Sequence, residues 1–189
     1  MPRSAERDTP PAEPPLSGSP VPGNPRSRRP ASERLVLETM SLADVGDVAA
    51  LERRVFPDPW SPDSFLAEVE RRPDVGWPVV VRDGPDVVGY AVVWFIVDEI
   101  HIGNIAVHPD HQGEGIGRWL MERILEEGRR RSMVFATLEV RPSNRAALTL
   151  YERFGFKRIA VRRRYYRNND EDAWVLAIAL DPSAEDRLG

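Results

Sequence analysis

His108–Leu120 reads HPDHQGEGIGRWL. Three glycines, Gly113, Gly115 and Gly117, stand on alternate positions, and Ile116, Leu120 and Ile124 then recur at helical spacing. The stretch before it, EIHIGNIAV (Glu99–Val107), reads as a strand. The order is strand, glycine loop, helix. A helix N-terminus carries unpaired N–H groups and a partial positive charge, so it receives anions. Glycines allow positive φ and a close approach of backbone to ligand. The stretch therefore favours a pyrophosphate ligand, with a plain tight strand-to-helix turn as the alternative. Other phosphate loops fit less well. Arg118-Trp119 stand where a P-loop needs Lys-Ser/Thr, and the spacing is G-x-G-x-G rather than G-x-G-x-x-G.

The flanking sequence predicts one α/β domain. RLVLETM (Arg34–Met40) alternates as a strand, and Asp44 is placed to cap a helix to about Arg54. FPDPW breaks that helix, and Ser61 caps a second. WPVVVR (Trp77–Arg82) and DVVGYAVVWFIV (Asp86–Val97) are β-branched runs joined by DGP, a hairpin signal. After the glycine loop a helix runs to about Arg131, then FATLEV (Phe135–Val140) is a strand. Ser143 is placed to cap a helix to Phe154, with Gly155 as its C′ residue. KRIAVRRRYY and AWVLAIAL (Ala173–Leu180) close the chain as a strand pair. The order β α α β β β α β α β β predicts a mixed sheet flanked by helices.

Composition narrows the function. The 189 residues suffice for one domain with an appendage. The first 33 hold nine prolines and almost no large apolar side chains, so residues 1–33 read as a disordered tail. Residues 34–181 form the expected domain and 182–189 a short C-terminal tail. Net charge is −4, and −5 without the tail's five arginines and four acids, which argues against a direct nucleic-acid footprint. With no cysteine, disulfides, thiolate metal sites and cysteine nucleophiles are excluded. No apolar run approaches a membrane span and no signal peptide is apparent, so a cytoplasmic location is expected. His101, His108 and His111 lack any metal-ligand spacing, so no metal is expected, and no G-x-S-x-G elbow is present.

Gln112-x-x-Gly115-x-Gly117 after NIAVHPDHQ resembles the acyl-CoA motif of the GCN-five-related N-acetyltransferases (GNAT). LEVRPSNRAALTLYERFGF (Leu138–Phe156) and the C-terminal RRRYYRNNDEDAWVLAIAL extend the likeness. Together they resemble the bacterial ribosomal-protein-alanine N-acetyltransferases, the RimI family. The resemblance implies a sheet splayed into a V-shaped cleft for acetyl-CoA. Pantetheine would pair with backbone groups of Ile105, Ala106 and Val107. The pyrophosphate would lie on the amides of Gly113, Glu114, Gly115, Ile116, Gly117 and Arg118, and Asn144 would hydrogen-bond the cofactor. FPDPWSPDSF departs from the family's shorter FPWS segment, in the region that shapes the acceptor pocket.

The reaction implied is acetyl transfer to an amine, with a protein N-terminus, the alanine of a small-subunit ribosomal protein, as acceptor. Glu139 interrupts the apolar run TLEV, on the face opposite Leu138 and Val140. Burial in the cleft is expected to push its carboxyl upward, towards general-base work. The family pattern makes Glu139 the proton acceptor and Tyr151 the acid that protonates the departing thiolate. A backbone N–H of Val107 would face the oxyanion. Tyr165 and Tyr166 resemble paired tyrosines that line the peptide pocket, and strand alternation lets one of them face the substrate. Arg162–Arg164 read as a solvated sheet edge. A lysine, polyamine or other small-amine acceptor is the alternative enzyme, and a non-catalytic acyl-CoA-binding module the alternative of another class.

Overall fold

The computed structural model describes residues 31–71 and 73–188. The Pro-rich tail expected over residues 1–33 lies outside these but for its last three positions. The chain forms α1 (Ala31–Arg34), β1 (Leu35–Thr39), α2 (Val45–Val55), α3 (Pro62–Val69), β2 (Gly76–Asp83) and β3 (Asp86–Ile96). It continues with β4 (Glu99–Val107), α4 (Ile116–Arg130), β5 (Phe135–Val140), α5 (Arg145–Phe154), β6 (Lys157–Tyr166) and β7 (Glu171–Ala179). A 3₁₀ turn over Pro182–Leu188 follows β7, with Ala184 buried.

The seven strands make one sheet in the order β1-β2-β3-β4-β5-β7-β6. All pairs are antiparallel except β4–β5. Helices cover both faces. The stripe Ile116, Leu120 and Ile124 of α4 is wholly buried against Val93, Ile100, Ile102, Ala136 and Leu138. On the other face α2 and α3 bring Val48, Leu51 and Phe65 against Val80, Tyr90, Val92 and Ala106. Both layers follow from apolar periodicity: 3.6 on the helices, continuous on the central strands because they are buried on both sides.

Three local assignments differ from the sequence reading. The Asp44 carboxylate does not cap α2. It accepts from the Ser41 N–H and Oγ and pairs with Arg82, which hold it below the ordinary carboxylate range despite burial. Asn144, not Ser143, is the N-cap of α5, accepting from the Ala147 N–H at 3.1 Å. The Ser143 N–H instead donates to Glu171. The last strand starts two residues early, at Glu171, because β6 supplies partners as far as Tyr166.

The feature that shapes the site lies in the middle of β4. Val92 pairs with Asn104 but Val93 pairs with Ile102, so Gly103 is an extra residue, a β-bulge. Bulges bend and over-twist a strand. Pairing of β4 with β5 ends one residue earlier, at Ile102–Leu138. Beyond that point the two strands part. The bulge requires glycine for a packing reason: a Cβ there would lie 2.4 Å from the Trp94 ring. That ring is stacked on His101 (centroids 5.6 Å apart, 4° between planes) and on Trp60 (6.3 Å, 17°), so it has little freedom to retreat. Gly103→Ala is therefore expected to cost about 1–3 kcal/mol of folding stability, as overpacking does. Urea denaturation measures it, and an unshifted midpoint would show that Trp94 reseats freely.

Candidate active site

The parting of β4 from β5 leaves a cleft whose wall is one edge of β4. The His108 N–H donates to the Val88 carbonyl, and in an antiparallel ladder the backbone groups of alternate residues face the same neighbour. Residues 106 and 108 therefore turn their N–H and C=O to β3, while Ile105 and Val107 turn theirs into the cleft. Gln112 reaches the Val107 carbonyl at 3.4 Å from the cleft side, consistent with this. Of the three backbone positions expected to pair with a ligand, Ile105 and Val107 present their groups and Ala106 does not.

At the mouth of the cleft lies the glycine loop. Gly113 and Gly115 have φ of +82° and +84°, a region that penalises any side chain. A Cβ on either would meet nothing within 4 Å, so the space in front of the loop is open. Gly117 is different: it lies inside α4, where a Cβ would make ordinary contacts with Leu150 and Val107. The open surface, the loop amides and the N-terminus of α4 fit a pyrophosphate. Arg118 turns its side chain to solvent and pairs with Glu122 at 2.9 Å.

Glu139 and His101 meet on the floor of the cleft. Registers of 101 with 137 and 102 with 138 place His101, Thr137 and Glu139 on the face that carries α2 and α3. His101 Nε2 is 3.1 Å from Glu139 Oε2, and Arg162 is 3.0 Å from Oε1. His101 Nδ1 is 2.8 Å from the Thr137 hydroxyl, which donates to Glu99. The Glu139 side chain is only 9% exposed. Its carboxyl nevertheless lies below the ordinary range, a correction to the expected upward shift. The His101 hydrogen bond dominates; burial works against it, and the charges of His101 and Arg162 add to the lowering. Arg162 is also not a purely solvated edge residue, since it crosses to Glu139.

The aromatic candidates separate. Tyr151, on α5, is 5% exposed and packs on Phe156, and burial pushes its phenol well above its ordinary value. Tyr166 lies close enough to influence Tyr151, and Glu139 to influence Tyr166. Burial, opposed by Arg141, pushes the Tyr166 phenol up to about 12. The Arg141 guanidinium lies 3.6 Å from its ring centroid. Tyr165 is 44% exposed and turned outward. Of the pair, Tyr166 faces the site. Asn144 spends its Oδ1 on the α5 cap and keeps its amide donors free of it.

Several residues around the cleft escaped the sequence reading. Taken alone in the sequence, His101 suggests only a metal ligand. Its signal was the alternation E-x-H in EIHIGN matched by T-x-E in TLEV, which aligns polar residues on one face of two neighbouring strands. Buried Glu52 ties the α2–α3 connection to the sheet: it accepts from the Trp60 N–H at 3.0 Å, from Asn104 at 3.2 Å and from the Tyr90 hydroxyl. No spacing in the sequence announces that contact.

The chain matches the Acetyltransferase (GNAT) family over residues 45–156. It is 34% identical to the [Ribosomal protein bS18]-alanine N-acetyltransferase of Escherichia coli K12, over 76% of this chain and 99% of that protein. It is 37% identical to the N-alpha-acetyltransferase RimI of Mycobacterium tuberculosis, over 75% and 90%. The crystal structure of the E. coli ribosomal-protein-S18-alanine N-acetyltransferase superposes with a TM-score of 0.71 at 30% identity, covering 78% of this chain and 94% of that one. The splayed sheet, the glycine loop and these matches agree: the chain belongs to the GNAT family of N-acetyltransferases, with the RimI enzymes among its relatives.

Proposed function

We propose that this protein transfers the acetyl group of acetyl-CoA to the N-terminal α-amine of a protein, the N-terminal alanine of a small-subunit ribosomal protein. The similarity to enzymes named for that acceptor, which spans nearly their whole length, carries the reading. The cleft supports it on the donor side. Ile105 and Val107 offer backbone groups to a pantetheine arm as an added strand would. The amides of Gly113 to Arg118 take the pyrophosphate, and the free amide donors of Asn144 serve the cofactor.

Acetyl-CoA supplies the activated thioester. Glu139, ionised at neutral pH, accepts, directly or through water, the proton that the neutral α-amine sheds as its lone pair attacks the carbonyl carbon. The Val107 N–H faces the oxygen that gains charge as the C–N bond forms and gives it up as the C–S bond breaks. Tyr151 gives its proton to the departing sulfur. Its raised affinity for that proton ties donation to the charge developing on sulfur. Tyr166, beside Glu139, borders the acceptor.

Mass spectrometry of intact small-subunit ribosomal proteins, with and without this enzyme, tests the acceptor. The expected change is one acetyl group on one alanine N-terminus; acetylation confined to lysine or to a small amine overturns it. Glu139→Gln is expected to lower turnover about 10²–10⁴-fold, with acetyl-CoA affinity little changed. The pH profile follows from the sign of the Glu139 shift. A lowered carboxyl is ionised throughout the neutral range, so it adds no limb there. The rise of kcat/KM between pH 6 and 8 should follow the acceptor amine, near pKa 8, and persist in Glu139→Gln. A limb that vanishes in the variant would assign it to Glu139 instead. Tyr151→Phe should fold normally and slow CoA departure, less so for acyl donors with more acidic thiols. Equal rates for both proteins across donors would leave Tyr151 a packing residue.

A further inference from the structure

Glu114 is an anomaly in an anion cradle. It sits between the two left-handed glycines, in the loop whose amides and helix end attract negative charge, yet it is itself negative. Its carboxylate does not point into open loop space. Oε2 accepts from the Arg34 guanidinium and lies 3.5 Å from His111 Nδ1. Arg34 belongs to α1, 80 residues earlier in the chain, and is 7% exposed. Its other terminal nitrogen donates to Asp83 at the end of β2, which is 8% exposed. One cation thus joins three separate segments: α1, the β2 terminus and the glycine loop. Burial works to lower the proton affinity of Arg34, and the bonds to Glu114 and Asp83 more than compensate.

We propose that Arg34 is a positioning residue for acyl-CoA binding: it holds the Glu114 carboxylate against α1 and away from the phosphate position, so that co-substrate affinity depends on the segment just after the N-terminal tail. The inference rests on the cradle reading above. Without the guanidinium, Glu114 would keep only the His111 ring beside it and could turn its carboxylate to the open side of the loop. Its charge would then oppose the phosphates at short range, where a few ångströms of protein screen poorly. Arg34 makes its contacts with Asp83 and Glu114, so its part in binding is to place another residue's charge.

The test uses the full chain and calorimetry with CoA and acetyl-CoA. Arg34→Met also leaves Asp83 buried without its cation, a threat to the fold. The variant compared is therefore Arg34→Met with Asp83→Asn, checked by urea denaturation. Its Kd for CoA is expected to rise roughly five- to tenfold, the scale of one misplaced charge at a helix N-terminus and loop. KM for acetyl-CoA should rise in parallel, while kcat at saturation changes less than twofold. Adding Glu114→Gln removes the charge that Arg34 restrains and should return Kd to within twofold of wild type. A purely structural role would show no such rescue. Unchanged Kd in the folded double variant overturns the proposal, as does a triple variant no tighter than the double. Wild-type protein that binds no CoA overturns the cradle reading and this inference together; wild-type binding with unaltered variants overturns this inference alone.

Discussion

Everything at the cleft depends on the separation of two adjacent strands that share a buried sheet. Parting them would normally strand a row of backbone donors and acceptors, a costly arrangement in a protein interior. The bulge at Gly103 gives the separation a definite starting point, one residue beyond the last β4–β5 pair. The extra residue turns β4 while β3 keeps its register to Val107, so the strand loses one neighbour without losing its place. Trp94 covers the glycine on one face and stacks between Trp60 and His101. The aromatic stack thus connects the bulge, the α2–α3 connection and the polar floor in a single contact series.

The floor shows how local bonding outweighs burial. A carboxylate as enclosed as Glu139 would, alone, hold its proton more tightly than in water. Two facing donors reverse the sign, because a hydrogen bond to the charged form and nearby positive charge stabilise what desolvation penalises. Tyr151 and Tyr166 lack such compensation and shift upward as burial dictates. The site thereby keeps one group ionised and two phenols protonated within a small volume. On the proposed mechanism, this would set a proton acceptor, Glu139, apart from a proton donor, Tyr151.

The loop and the floor are built by different means. The loop relies on backbone: positive φ at two glycines, open space before them, and the end of a helix fully anchored by its apolar stripe. The floor relies on side chains brought from β4, β5 and β6. Rigid neighbours matter to both. Glu171, held to about pKa 2 chiefly by a hydrogen bond from the Ser143 side chain, against burial, and further by the Ser143 N–H and Arg141, clamps the β5–α5 connection to the β6–β7 turn and so steadies Arg141 beneath Tyr166.

Element types and their order were legible in the chain itself, since apolar period and glycine placement act locally: the stripe of α4, the β-branched runs of β2 and β3, and the C′ glycine at 155 all stand as read. The glycine loop was legible for the same reason, because positive φ and a helix start leave marks within a few residues. Glu139 could be singled out as a polar break in an apolar strand. Its ionisation could not, because His101 and Arg162 arrive from strands distant in sequence. Nor could the choice between Ser143 and Asn144 as cap, where the Ser143 side chain and N–H both turn to Glu171, or between Tyr165 and Tyr166, which rests on a bulged β6 with Arg164 at positive φ. Periodicity and turn chemistry are properties of neighbours along the chain. Charge balance, hydrogen-bond competition and the direction of a side chain beyond a bulge are properties of neighbours in space, and only the tertiary structure decides them.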